Sequence, residues 1–161
     1  MSERYAAKTE VPADRSRGEI ERILTRYGAD QFMYGWDDAR AVIRFRAMNR
    51  MVEFLIPMPD RQSEEFWKTP TGRRRPAPEQ AMAAWEQATR QRWRALKLMV
   101  QAKLEAVAAG ITTFDEEFLA HLLLPDGATV GSFMLPQVTQ AYLTGRMPSM
   151  LALPERGEER P

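Results

Sequence analysis

The side chains of this 161-residue sequence that could do chemistry are mostly cations, and their spacing suits the capture of an anion. Arg73-Arg74-Arg75 forms a run beside Phe66, Trp67 and Lys68. Arg90, Arg94 and Lys97 recur at helical spacing, while Arg44 and Arg46, with Arg40, alternate with apolar residues as on one face of a strand. A guanidinium pairs with phosphate oxygens in a bidentate way, lysine supplies a point charge, and an indole can stack on an unpaired base. Together these residues predict a nucleic-acid surface, with single-stranded DNA favoured because Trp67, in the same loop as the basic run, could stack on an unpaired base. Solvated faces balanced by nearby acids would give a similar pattern. The triple-arginine run fits that alternative least well, because a flexible segment gains little from it in folding.

Other chemistries lack their residues. There is no cysteine, which removes disulfides, thiolate nucleophiles and zinc–cysteine sites, and His121 is the one histidine. Asp37-Asp38 fits a turn, and Asp115-Glu116-Glu117 fits the first turn of a helix, where negative charge is favourable. A nuclease set built from Asp60, Glu65 and Lys68 would lie within one loop and not on neighbouring strands. No glycine-rich loop opens a helix with Lys-Ser or Lys-Thr after it, so no phosphate cradle is expected. The chain therefore reads as a non-enzyme without metal or cofactor. Net charge is +1, from 23 Lys and Arg against 22 Asp and Glu, so a nucleic-acid reading must rest on where the charges sit.

The elements that must position these residues read as one α+β domain over 14–153, with a flexible arm at 1–13 and a disordered tail at 154–161. Ser16-Arg17-Gly18-Glu19 is a capping-box pattern, and Ile20, Ile23, Leu24 and Tyr27 share one helical face up to Gly28. The period then drops to two. Gln31–Trp36, Arg40–Arg46 and Met51–Ile56 read as a three-stranded antiparallel meander with turns at Asp37-Asp38 and Asn49. Residues 60–77 read as a long, mobile basic loop with one short turn near Glu64–Lys68.

The longest element is a helix over Pro78–Ala109 packed across the sheet. Met82, Trp85, Trp93, Leu96, Val100, Leu104 and Val107 make its apolar stripe. Ala84, Ala88, Ala95, Met99, Ala102 and Ala106 make a small-residue stripe that should also be buried, by a helix of the same chain or through a homo-oligomer. Arg90, Arg94, Lys97 and Gln101 form the wet face. Two short C-terminal helices follow. One is capped by Thr113 and Glu116, and the other runs from about Ser132 to Gly145 with Pro136 near its first turn. MSERYAAKTE lacks the apolar core of a secretory signal, and no run of 18 apolar residues occurs, so a cytoplasmic setting away from membrane is expected.

Three stretches, SRGEIERILTRYGADQFMYGW, RWRALKLMVQAKLEAVAAGITTFDEEFLAHLLLPDGATVG and AYLTGRMPSMLALP, resemble a family of small proteins of tailed bacteriophages and prophages. The resemblance spans about Val11 to Leu153 and implies a phage origin and a bacterial host cytoplasm, with no functional residue carried over. Small phage proteins of this kind tend either to handle DNA in replication and recombination or to inhibit a host defence system by binding a protein. A helix, three strands and a long helix also resemble the core of single-strand annealing proteins, an analogy of element order alone.

Overall fold

The structure is a computed structural model that describes residues 3–37, 39–74 and 77–147. Its centre is an antiparallel sheet in the order β1 (Gln31–Trp36), β2 (Arg40–Ala47), β3 (Arg50–Pro57). Alternation decides its faces: Ala41, Ile43, Phe45, Val52, Phe54 and Ile56 point into the core, so Arg44, Arg46 and Glu53 point the other way. Both turns have a physical cause. Asp37 Oδ1 accepts the backbone N–H groups of Ala39 and Arg40 at 2.9 and 2.8 Å. At the second turn Met48 and Asn49 both take positive φ, 50° and 59°, a pair whose twist suits a two-residue hairpin. Asn49 was the expected turn residue; Met48 shares the conformation without asparagine's tolerance for it.

Helices cover one face of the sheet. Helix α1 spans Glu3–Arg26, so it begins well before the Ser16–Glu19 pattern, and residues 3–13 extend it where a loose arm is expected. Alanine, glutamate, lysine and arginine in that stretch favour helix without giving an apolar period to read. Helix α3 spans Pro78–Ala108, with proline in its first turn, and buries Ala81, Trp93, Leu96, Val100 and Leu104. After it come α4 (Phe114–Phe118), a 3-10 turn (Leu119–His121) and α5 (Val130–Thr144). The expected tail at 154–161 lies outside the described residues.

The lateral order of the helices follows from two ion pairs. Lys97 Nζ lies 2.8 Å from Glu19 of α1, and Lys103 Nζ lies 2.8 Å from Glu117 of α4. Six residues apart, the two lysines sit ~240° apart around α3, so α1 and α4 flank it on opposite sides. Helices α1 and α3 run parallel, since Glu19 meets Lys97 and Tyr27 meets Glu105. On the α4 side, Phe118 packs edge-on against Phe45 and Phe54, with centroids 6.0 and 6.3 Å away.

With the sheet beneath α3 and a helix on each flank, its top has no cover among the described elements. Ala95, Met99 and Ala102 of the small-residue stripe are exposed there. The expectation of a second buried side is corrected for this half of the helix, because no further layer lies above it.

Candidate interaction surfaces

The sequence-predicted cations fall in three places. Arg44 and Arg46 lie on the outer sheet face, opposite the helix layer, and both are engaged. Arg44 Nε donates to Glu53, whose side chain is buried. Arg46 makes a bidentate pair with Asp30, at 2.8 Å from Nε and 2.6 Å from a terminal nitrogen, and this guanidinium holds the Asp30 carboxyl below its usual range. A phosphate arriving here would have to displace a carboxylate already in place.

Arg90, Arg94 and Lys97 lie on the α1 flank of α3. Lys97 is tied to Glu19, which it holds below the usual carboxylate range, and Arg90 approaches Glu86 at 3.9 Å. Arg94 is exposed and makes no ion pair among the described residues.

Lys68, Arg73 and Arg74 occupy the third place, and their local structure is tighter than a mobile loop. Helix α2 (Glu64–Trp67), which packs against α3, buries Phe66 and leaves Trp67 half-buried. The chain then reverses over Thr69–Gly72. Gly72 N–H donates to the Thr69 carbonyl at 2.8 Å, Thr69 N–H donates to the Arg73 carbonyl at 2.7 Å, and Gly72 takes φ +80°. Lys68 and Arg74 bridge across this turn. Lys68 Nζ is 2.5 Å from Glu64, whose carboxyl it lowers, while Arg73 and Arg74 are exposed and make no ion pair among the described residues. Arg75 lies outside the described residues.

Arg44 and Arg46 are thus not brought to the face that carries Arg90, Arg94 and Lys97. Strand alternation sends Arg44 and Arg46 to the side opposite α3, and ~18 Å of helix separates the turn end of α3 from Arg90 at 1.5 Å per residue. A shallow hollow beside α2 is lined by Glu64, Glu65, Lys68, Thr69 and Pro70, and the Lys68–Glu64 pair lies across it. His121 lies against Phe54 with ring centroids 4.2 Å apart, and burial, followed by the charge of Lys103, pushes its pKa down. Among the described residues no three His, Cys, Asp or Glu side chains are grouped to hold a metal ion.

The surface that the sequence did not single out is α5. Its ends are well made: Thr129 and Ser132 form a capping box, and Gly145 closes the helix at φ +67°. The capping box starts the helix at Val130, ahead of the expected Ser132, which places Pro136 inside the helix and not in its first turn. VGSFMLPQVTQAYLT contains no charged residue. The helix packs mainly against the 3-10 turn, where Gly131 lies so close to Ala120 that an added Cβ would come within 2.6 Å of its carbonyl oxygen. Beyond that seat, Leu135, Tyr142 and Leu143 are 62, 88 and 74% exposed. The signal was in the sequence as an unbroken uncharged run from Gly127 to Gly145, but apolar helices ordinarily read as core.

Comparison with known protein families, characterised proteins and solved structures gives no match to this chain. No described helix is long and apolar enough to cross a membrane.

Proposed function

We propose that this chain is a non-enzymatic accessory protein that works by binding another protein, with α5 as the docking element. The observation that carries this reading is the uncharged, well-capped α5 with Leu135, Tyr142 and Leu143 exposed on it. A helix presenting anchors at i, i+7 and i+8 is suited to an apolar groove on a partner, and its lack of charge lowers the cost of desolvating it. In the phage setting that the sequence resemblance implies, a host defence component is the partner class this reading favours. Wild-type protein added to a bacterial host lysate is expected to retain one stoichiometric, nuclease-resistant protein, and L135S/Y142S/L143S is expected to lose it. Retention by the triple variant would refute α5 as the docking element.

A second reading, binding of single-stranded DNA in replication or recombination, draws on Arg73, Arg74 and Arg94, the predicted cations left without an ion pair among the described residues. It predicts an electrophoretic shift of a single-stranded oligonucleotide at low salt. Affinity should fall steeply as salt rises, with a salt slope shallower by ~1–2 in R73A/R74A. Absence of any shift ends this reading.

A further inference from the structure

The uncovered top of α3 carries a regular row. Gln91, Ala95, Leu98 and Ala102 recur at i, i+4, i+7 and i+11; all four are exposed and none is charged. Steps of four, three and four residues are those of a seam along which two helices pack. Leu98 is 55% exposed and Met99, one position on, is 37% exposed. No described element fills the seam, because α1 and α4 lie on the flanks of α3 and the sheet lies beneath it.

The charges beside the seam indicate what fits it. Arg94 and Glu105 are both exposed, and neither makes an ion pair among the described residues; the Glu105 carboxylate accepts from the Tyr27 hydroxyl. Eleven residues separate them, three helical turns, so they stand ~16 Å apart on the same flank of α3, the one beside α1. A twofold axis crossing α3 midway, near Met99 and Val100, sets Arg94 of one copy against Glu105 of the other, and does so twice. The same axis sets Leu98 against Ala102, a large side chain against a small one. Antiparallel pairing keeps the α1 flanks of both copies on one side, as this match requires. Parallel pairing would bring the α1 flank of one copy to the α4 flank of the other. Arg92, eleven residues before Lys103, lies on that α4 flank and would meet Arg94, cation against cation.

We propose that the uncovered face of α3 is a homodimer interface, in which two copies pair α3 to α3 antiparallel about Met99 and Arg94–Glu105 ion pairs close the rim. None of these residues belongs to α5, so the pairing stands whether or not α5 binds a protein, and it leaves Arg73 and Arg74 to the nucleic-acid reading. Rim ion pairs add little affinity and mainly fix direction and register. One helix row buries less than the ~1,600 Å² of a standard interface, so a dissociation constant on the order of 10 μM is expected.

Sedimentation equilibrium of the full chain, from ~1 to ~300 μM, tests the pairing, because mass action should carry the wild type from one chain to two. L98D puts a carboxylate into the seam and should abolish association. R94E and E105R each set like charges face to face and should weaken it roughly tenfold or more. An equal mixture of R94E and E105R restores both opposite-charge contacts and should recover wild-type association, as should R94E/E105R on one chain. Thermal unfolding is followed alongside, since E105R also gives up the Tyr27 contact; if it loses stability, R94E and L98D decide. The proposal is overturned if the wild type stays a single chain throughout, if L98D or R94E leaves association unchanged, or if a stable E105R fails to rescue R94E on mixing.

Discussion

Helices α3 and α5 are both rich in apolar residues and meet opposite fates. In α3 the stripe Trp93, Leu96, Val100 and Leu104 is buried, and lysines on its two flanks are tied to Glu19 and Glu117 on the neighbouring helices. In α5 the caps are as complete as any in the molecule, yet its large side chains meet water. Local signals set where a helix starts and stops. Where it packs is set by what its faces can exchange with a neighbour, and α5 offers no charge to fix it against its own chain.

The largest test of this contrast is W93A against L143A. Loss of the buried indole should cost ~3–5 kcal/mol and lower Tm sharply, whereas the exposed leucine should change stability by less than ~0.5 kcal/mol. Similar losses in thermal unfolding would mean that α5 is packed in solution. Next in size is G131A. The added methyl meets the Ala120 carbonyl, and overpacking of this kind costs ~1–3 kcal/mol. Because α5 seats mainly on the 3-10 turn, hydrogen exchange should show α5 losing protection while α3 keeps it; loss throughout would show that the two regions unfold as one. The smallest effect is on pH. Helix α5 carries no Asp, Glu or His, so acid should act on the packed region first. His121 is held below its unfolded pKa of ~6.5, so its contribution is complete above that pH and fades as pH falls below it. The carboxyls of Asp30, Glu19 and Glu116 are lowered as well, and their contributions disappear at lower pH. A stability–pH curve should show a shallow loss beginning near pH 6.5 that H121Q removes; an unchanged curve in H121Q would assign that loss elsewhere.

The meander, the long helix and the Thr113–Glu116 cap were legible because each depends on residues close in sequence. Alternation in Arg40–Ala47 and the Pro78 start needed no tertiary knowledge. The two stripes of α3 were not separable, since periodicity shows that a face is apolar without showing whether a layer exists to cover it. Which of the cations are already paired was hidden for a related reason. Arg46 finds Asp30 across 16 residues and Lys97 finds Glu19 across 78, and no local pattern announces such partners. The extent of α1 was hidden because a helix without an apolar period reads as coil.

The parallel seating of α1 beside α3 has a consequence for synthesis. At ~5–20 residues per second, the 78 residues between Glu19 and Lys97 take about 4–16 s to add. Hairpins form in ~1–10 μs, so the meander can close as soon as it leaves the ribosome. Ile20 and Leu24, fully covered in the finished domain, have no α3 to rest on during that interval. The helix that is translated before the sheet is completed by an element translated after it, and its apolar face is the part of the nascent chain most in need of a chaperone.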